Sequence, residues 1–321
     1  MENVLVTGAA GYIGQKVLRL LDNKAGVKKI VGLDINKTEF TSAKCTFVEA
    51  DIRSDAAVTL SMHNIDTVVH LAWVLSPVHD EKWAEDINIK GTRNVLKACL
   101  TSGVKQLLYT SSATAYGFHP DNPIPLKEDS QLRGNEGFTY SRCKRMVEVI
   151  MEQFVTDNPG IAVTVLRPCF VVGPGFNNIM AQNLRKNPIL MPATLAPMQF
   201  VHEDDLAEII VKCLERKLAG VYNVAADGTM TVADMADLLR RKLVQIPDWL
   251  INMVNSVGWK MNIPSISLQP NTGIDMVRYP WIVSNDKLKK ALDYKYSKDS
   301  REAFSDFAEY VMKEDRKTNG R

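Results

Sequence analysis

The stretch Val4-Leu-Val-Thr-Gly-Ala-Ala-Gly-Tyr-Ile-Gly14 decides the fold of this chain. A short apolar run breaks at Gly8, Gly11 and Gly14 and passes into a helical pattern of apolar residues, which predicts a strand, a tight turn and a helix. Glycines let the backbone approach a pyrophosphate, and the N–H groups at the start of the helix face its negative charge. The stretch therefore predicts a nucleotide cradle. Its G-x-x-G-x-x-G spacing alone is a weak signal, because glycines can also do no more than shape a βα turn.

The composition is typical of a globular chain. Of the 321 residues, 45% are hydrophobic and 24% are charged, and the formal net charge is +2. A charge so close to zero gives no indication of a nucleic-acid partner. No run approaches the ~18 apolar residues that a membrane span needs, and Glu2 stands where a signal peptide would carry basic charge. We therefore expect no nucleic-acid or membrane partner and a cytoplasmic location.

The five cysteines are scattered along the chain and never occur in C-x-x-C spacing. That arrangement argues against a disulfide framework and against a structural zinc site. His79, His119 and His202 form no pair with metal-ligand spacing. We expect no metal site.

A second apolar run, Lys28-Lys-Ile-Val-Gly-Leu-Asp34, ends in an acid. In a βαβ nucleotide fold, a carboxylate at the tip of the second strand, about 20 residues past the last glycine, accepts the ribose hydroxyls of adenosine. Asp34 would repel the extra phosphate of NADP, so the pattern favours NAD, although Lys37 is a nearby cation. The alternative is a solvated acid in a βα loop.

Apolar runs continue to alternate with helical patterns along the chain, which predicts an α/β fold with a doubly wound parallel sheet. The further strands are predicted at 45–51, 66–73, 104–110, 162–168 and 220–224, and the longer helices at 83–100, 140–154, 203–216, 231–243, 284–292 and 300–313. We expect a Rossmann-type core over residues 1–172, with returning segments near 198–226. Residues 173–321 are expected to form mainly a smaller α/β substrate lobe and closing helices.

Tyr140 and Lys144 are four residues apart and therefore share one face of a predicted helix. A phenol has an ordinary pKa near 10, and a nearby ammonium favours its phenolate form. A hydroxyl from Ser112, at the carboxyl end of the fifth strand, can hydrogen-bond the same substrate oxygen. Because open parallel sheets place ligands at the carboxyl ends of their strands, Gly8, Asp34 and Ser112 are expected to gather there. A Y-x-x-x-K match by itself is more often just two neighbouring side chains on the surface of a helix.

Taken together, these motifs resemble the extended short-chain dehydrogenase/reductase superfamily, in particular its NAD-dependent epimerase/dehydratase branch with the UDP-glucose 4-epimerase-like proteins. The likeness extends over nearly the first 225 residues, and its matching segments lie at 7–14, 51–52, 70–72, 88–92, 111–117, 140–144, 167–168 and 200–205.

The resemblance implies a role for each matching residue. The residues implied to bind the cofactor are Gly8, Gly11, Tyr12, Ile13 and Gly14 at the pyrophosphate, Asp34 at the adenosine ribose, Asp51 and Ile52 at the adenine, and Leu71, Ala72, Asn88, Tyr140, Lys144 and Pro168 at the nicotinamide half. The implied catalytic residues are Ser112, Tyr140 and Lys144, with Ser111 as the fallback for Ser112. The resemblance also implies a homodimer, formed through the helices at 83–100 and 140–154.

The implied reaction is hydride transfer between NAD and a carbinol carbon of a small-molecule substrate, with Tyr140 moving the hydroxyl proton. A nucleotide-sugar epimerase of the UDP-hexose type is the first hypothesis. The chain has Met198-Gln199 where those enzymes commonly carry Arg-Asp, and its 73–79 segment is apolar for a sugar pocket. The alternatives are an NAD(P)-dependent dehydrogenase or reductase of a smaller, less polar alcohol or carbonyl, and a non-catalytic dinucleotide sensor. Arg185 and Lys186 are candidates for holding a diphosphate.

Overall fold

Seven parallel strands form the central sheet of this chain, of which the computed structural model describes residues 1–319. The strands in the described residues are β1 Asn3–Thr7, β2 Lys29–Asp34, β3 Cys45–Glu49, β4 Thr67–His70, β5 Gln106–Thr110, β6 Ala162–Pro168, β7 Phe170–Val172, β8 Ile189–Pro192, β9 Phe200–His202, β10 Gly220–Val224 and β11 Leu243–Ile246. The helices are α1 Tyr12–Asp22, α2 Asp55–Ser61, α3 Glu81–Glu85, α4 Thr92–Thr101, α5 Thr139–Asp157, α6 Ile179–Leu184, α7 Glu203–Glu215, α8 Val232–Leu238, α9 Asp248–Lys260, α10 Asn271–Arg278, α11 Asp286–Leu292 and α12 Ser300–Asn319.

The strand order in the central sheet is β10-β6-β5-β4-β1-β2-β3. The chain winds outward from β1 through β2 to β3, then returns and winds the other way from β4. All neighbouring strands are parallel, so the predicted doubly wound parallel sheet is confirmed. The reversal lies between β1 and β4, and it opens a crevice at their carboxyl ends, where ligands bind in sheets of this kind.

Two buried layers cover the faces of the sheet. Along β1, Val4 and Val6 pack into one layer and Leu5 into the other, because successive side chains of a strand point to opposite faces. In α1, Val17, Leu18 and Leu21 are buried, as the spacing of a helix packed on one face requires. The first strand and helix are thereby held rigidly on either side of the glycine turn.

The C-terminal half contributes both to the sheet and to a smaller α/β layer. β10 pairs with β6 at one edge of the central sheet. A separate two-stranded parallel sheet joins β8 to β11, and another joins β7 to β9. The helices α9 and α10 pack against each other. The domain boundary at 172 stays a prediction.

Several elements differ from the sequence prediction. The helix capped by Thr231 ends at Leu238 rather than near 243, because Arg240 takes a left-handed backbone angle (φ +54°) and the next apolar residues pair with β8 as strand β11. The helix α10 was not predicted, and α12 continues beyond 313 to Asn319. Between α3 and α4 the helix widens into one π-helical segment, Asp86–Gly91.

Candidate functional site

The glycine turn between β1 and α1 is closely packed against the end of β4. Gly8 has a left-handed backbone (φ +71°), and a Cβ atom there would lie 2.6 Å from the backbone nitrogen of Ala72. A Cβ on Gly14 would lie 2.1 Å from the carbonyl oxygen of Gly8. Gly11 precedes α1 and supplies no side-chain cap, so the first N–H groups of α1 are left for an anion. The turn fits the predicted pyrophosphate cradle.

Asp34 lies at the tip of β2, beside the glycine turn. One carboxylate oxygen accepts a hydrogen bond from the backbone N–H of Ala10 at 3.0 Å, and the other accepts from Asn36 at 2.9 Å. These bonds fix the direction of the carboxylate, while its remaining lone pairs can accept hydroxyl groups. The position suits the predicted binding of a ribose.

The two residues predicted to contact adenine, Asp51 and Ile52, contact other residues of the protein in this structure. The carboxylate of Asp51 accepts hydrogen bonds from Arg53 at 2.7 and 3.0 Å, and these hydrogen bonds lower the pKa of Asp51. Ile52 is buried, and its side chain fills the space beside Gly91. Their predicted contact with adenine stays a prediction.

Asn88 lies in the π-helical segment and is buried. Its side-chain oxygen accepts a hydrogen bond from the backbone N–H of Val74 at 2.9 Å. Asn88 thereby holds the segment that follows β4, which carries Leu71 and Ala72. Its placement supports a positioning role at the predicted nicotinamide end.

Ser112 follows β5 and begins a 3-10 turn, Ala113–Tyr116, in which its hydroxyl accepts a hydrogen bond from Thr114 N–H at 3.2 Å. The same side chain interacts with the phenol of Tyr140, in the first turn of α5, and acts to lower its pKa. By contrast, the Ser111 hydroxyl donates to the buried carboxylate of Glu148 at 2.6 Å. Of the two serines, Ser112 is therefore the one placed to share a substrate oxygen with Tyr140.

The acidity of Tyr140 differs from the sequence prediction. Burial raises the pKa of Tyr140 to about 12, and the hydrogen bond with Ser112 opposes the increase only in part. Burial also brings the pKa of the Lys144 ammonium well below its ordinary value, although Glu148 opposes that shift. The opposing effect comes from Ser112 and not, as expected, from Lys144, and desolvation outweighs it. At neutral pH, Tyr140 therefore carries its proton.

The ammonium of Lys144 lies among aromatic rings, next to Tyr140. Its Nζ donates to the carbonyl oxygen of Thr110 at 2.9 Å and to the hydroxyl of Tyr109 at 3.4 Å. The centroid of the Trp73 ring is 3.6 Å from the same Nζ. Other titratable groups whose charges interact with Lys144 are Glu148, Cys143 and His70.

Trp73 was not among the predicted site residues. It meets Tyr140 edge to face, with the ring centroids 6.3 Å apart, and its buried indole N–H has no hydrogen-bond partner in the described part of the chain. The signal in the sequence was an aromatic residue at the end of the 66–73 run. Only the tertiary contact with Lys144 indicates its role.

A cleft of about 870 Å³ runs from the glycine turn past Tyr140 into the C-terminal half. The predicted residues that line it are Gly8, Gly11, Tyr12, Ile13, Gly14, Leu71, Ser111, Ser112, Tyr140, Lys144, Pro168 and Lys186. The predicted residues outside its lining are Asp34, Asp51, Ile52, Ala72 and Asn88. The cleft brings the glycine turn and the Ser-Tyr-Lys group together, as the strand order requires.

Residues 1–319 offer neither a metal cluster nor a membrane span. No group of three or more His, Cys, Asp and Glu side chains in this part of the chain is arranged to hold a metal ion. None of its helices is both long and apolar enough to cross a membrane.

Comparison with known proteins identifies similar chains. A model of the NAD dependent epimerase/dehydratase family matches residues 4–225. An uncharacterized protein of Mycobacterium tuberculosis is 24% identical over 315 residues, which cover 95% of this chain and 82% of that protein. A UDP-glucose 4-epimerase of Erwinia amylovora is 32% identical over 208 residues, or 61% of this chain and 60% of that one. The structure of a Thermus thermophilus UDP-glucose 4-epimerase in complex with NAD is similar in fold, with a TM-score of 0.76, 21% identity, and coverage of 97% of this chain and 99% of that chain.

Proposed function

Because this chain belongs to the NAD dependent epimerase/dehydratase family, we propose that it transfers a hydride between NAD and a carbinol carbon of a small molecule. One observation carries the proposal. Ser112, Tyr140 and Lys144 line the same cleft as the glycine turn, so a cofactor on the turn and a substrate oxygen at Tyr140 can meet in one space.

The residues present fit the cofactor. An added Cβ at Gly8 or Gly14 would collide with backbone atoms, so the turn leaves no side chain between the pyrophosphate and the start of α1. The carboxylate of Asp34 lies beside the turn and is held by backbone N–H groups. An acid at this place accepts the ribose hydroxyls and disfavours a 2′-phosphate. NAD, when bound there, supplies the hydride acceptor for alcohol oxidation and, once reduced, the donor for ketone reduction.

The chain's own side chains handle the oxygen and its proton. Ser112 donates a hydrogen bond to the substrate oxygen and orients it toward Tyr140. The phenolate form of Tyr140 accepts the alcohol proton during oxidation, and the phenol form returns a proton to the oxygen during reduction. At neutral pH Tyr140 is protonated, so it is already in the form that donates a proton when a ketone is reduced. Lys144 supplies the positive charge that stabilises the phenolate when it forms.

Nucleotide-sugar epimerisation is the version of this function that similarity to known proteins supports. If the ketone stays bound and receives the hydride on its opposite face, the alcohol is epimerised. The family and the fold similarity to a UDP-glucose 4-epimerase support this version. The second version is a net dehydrogenase or reductase of a less polar alcohol, which the apolar side chains of the cleft favour. A dinucleotide sensor without turnover is disfavoured by the intact Ser112, Tyr140 and Lys144.

The proposal includes a homodimer in the cytoplasm. Apolar side chains remain exposed on both of the helices that the sequence predicts to pair between subunits. Leu100 at the end of α4 is 45% exposed, and on α5 Met146 is 38% and Val149 is 59% exposed. A second copy of the chain would cover these exposed apolar side chains, so their exposure supports the predicted interface of two helices from each subunit. All five cysteines are free, which supports a reducing compartment.

The test of the proposed function has two stages. Binding of NADH is first measured by its fluorescence, and hydride transfer is then followed with nucleotide sugars and with simple secondary alcohols. We expect binding in the wild type and in Tyr140→Phe, with turnover only in the wild type. Unchanged activity in Tyr140→Phe would contradict the mechanism, and lack of NADH binding would contradict the cofactor assignment.

A further inference from the structure

The substrate half of the cleft, beyond Tyr140, is walled by α9, by the segment 264–269 and by α10. Most of the side chains that line it there are aliphatic or thioether groups. They are Ile246, Leu250, Ile251, Val254, Ile266, Leu268, Ile274, Met276 and Val277. These groups give a ligand apolar contact but no hydrogen bonds.

Of the two cations predicted to hold a diphosphate, only Lys186 lines the cleft. Arg185, a candidate from the sequence, does not line the cleft, and its guanidinium forms an ion pair with Glu314 at 2.6 Å. Among the described residues lining the cleft, the cations are Lys144 and Lys186. Lys144 is at the reacting end, and Lys186 is exposed and bonded to Asn183 at 2.9 Å.

Arg278 is the other nearby arginine, at the end of α10. Its guanidinium is buried, and it contacts Asp275 at 3.2 Å, Asp248 at 3.4 Å and the side-chain oxygen of Asn252 at 2.7 Å. Two carboxylates therefore already balance its charge. A phosphate would have to displace them, at a large cost in desolvation.

Several of the polar side chains in this half are also engaged within the protein. The amide of Asn255 donates to the carbonyl oxygen of Gln269 at 3.0 Å and to Asn271 at 2.8 Å. The hydroxyl of Ser267 donates to the same Gln269 carbonyl at 2.8 Å. Asn178 accepts from Ala181 N–H and caps α6. These bonds hold the wall together and leave the apolar groups as its main contact surface.

Resting on the proposed function, we infer that the substrate is a largely apolar secondary alcohol or ketone that carries no nucleoside diphosphate. Its oxygen lies between Ser112 and Tyr140, and its hydrocarbon body fills the space beside Val254 and Ile274. In oxidation, the carbinol C–H bond breaks and its electron pair passes with the hydrogen to NAD. The hydroxyl proton goes to the phenolate form of Tyr140 as the C=O bond forms, so the alcohol is oxidised and NAD is reduced.

The test compares two substrate panels on the NAD-loaded full-length protein. One panel contains UDP-glucose, UDP-galactose and UDP-glucuronic acid; the other contains a medium-chain 2-alkanol, menthol and a hydroxysteroid. NADH formation and formation of a sugar epimer are followed, and the melting temperature is measured with each compound and with UDP alone. We expect NADH formation or a raised melting temperature with apolar alcohols, and neither turnover nor a shift with UDP compounds.

A matched pair of variants on α9 locates the contact. Val254 lines the cleft, whereas its neighbour Met253 is 53% exposed and lies outside the lining. Val254→Arg should lower kcat/KM for the apolar alcohol about tenfold or more, while Met253→Arg should keep it within about twofold. NADH affinity should be unchanged in both variants, which shows that they are folded.

The outcomes separate this inference from the proposed function. Epimerisation of a UDP-hexose, or a shift caused by UDP alone, would overturn the inference and leave NAD-dependent hydride transfer in place. Absence of both turnover and melting shift with every apolar alcohol would also overturn it. Loss of activity in Met253→Arg as large as in Val254→Arg would remove the assigned contact. Failure to bind NADH would instead overturn the proposed function.

Discussion

The ammonium of Lys144 lies 3.6 Å from the centroid of the Trp73 indole ring. Lys144 is only 3% exposed, so the ring and the carbonyl of Thr110 stand where water would otherwise solvate the charge. An aromatic face over a desolvated cation contributes roughly 2 kcal/mol. Trp73 therefore favours the charged form of Lys144, against the effect of burial.

Replacing Trp73 should shift the pH dependence of alcohol oxidation. In Trp73→Leu the charged form of Lys144 loses its aromatic contact, so the pKa of Lys144 falls further and the phenolate of Tyr140 loses positive charge nearby. The rise of kcat/KM with pH should then move to higher pH, with Trp73→Phe in between. Trp249→Leu is the control, because Trp249 is 67% exposed and does not line the cleft. Superimposable profiles for wild type and Trp73→Leu would contradict this role.

The wild-type pH profile follows from the raised pKa of Tyr140. Burial brings this pKa to about 12, so the phenolate that accepts a proton in oxidation is a minor species at neutral pH. Below the pKa its fraction grows about tenfold for each pH unit, and kcat/KM for oxidation should rise accordingly through the alkaline range. Ketone reduction needs the protonated phenol and should stay flat over the same range. A reductive rate that falls between pH 6 and 8 would point to another acid.

Gly8→Ala should impair both stability and NADH binding. The left-handed backbone at Gly8 costs an alanine roughly 1–2 kcal/mol, and its Cβ would lie 2.6 Å from the nitrogen of Ala72. We expect a melting temperature lower by several degrees and NADH affinity reduced about tenfold or more. At Gly26 a Cβ would meet nothing within 4 Å, so Gly26→Ala should leave both quantities nearly unchanged. Equal effects at the two glycines would argue against a special turn at Gly8.

Glu148→Gln should be strongly destabilising. The side chains of Glu148 and Arg167 are 4% and 6% exposed and form an ion pair at 2.6 Å. Removing one partner of a buried pair costs about 3–5 kcal/mol, which denaturant unfolding would measure. Glu2→Gln breaks the exposed pair with Lys28, whose side chains are 58% and 68% exposed, and should cost at most about 1 kcal/mol. The double variant Glu148→Gln with Arg167→Met should recover part of the loss, since it removes the unpaired buried charge.

Asp34→Ala should weaken NADH binding about tenfold, because two hydroxyl hydrogen bonds to a carboxylate are lost. Binding of NADPH should weaken less, since the variant no longer repels the 2′-phosphate. Glu49→Ala serves as the control, because Glu49 is exposed and lies opposite Asp34 on the neighbouring strand. Titration of each variant with both reduced cofactors gives the ratio of affinities. Tighter binding of NADPH than NADH by the wild type would overturn the assignment of NAD.

Local sequence patterns were enough to predict the main elements of the first half of the molecule. The three glycines, the acid of Asp34 and the pairing of Tyr140 with Lys144 depend on spacing within one turn, one strand end or one helix face. Such spacing is fixed by backbone geometry, and the parallel order of the strands then follows from their alternation with helices. For the same reason the cleft at the carboxyl ends could be predicted before its walls were known.

Contacts between distant segments decided the rest. Strand β11 forms by pairing with β8, about 50 residues earlier in the chain. The local sequence pattern instead predicted that this region is the end of a helix. Trp73 over Lys144, and Glu148 between Ser111 and Arg167, likewise join side chains that only packing brings together. The sequence by itself determined the α/β fold with its parallel sheet, and it predicted which residues carry the chemistry. Only the tertiary structure decided the protonation state of Tyr140 and the apolar character of the cleft wall formed by α9, the segment 264–269 and α10. The desolvation of a group and the set of side chains that line a cleft both depend on every element that packs around them.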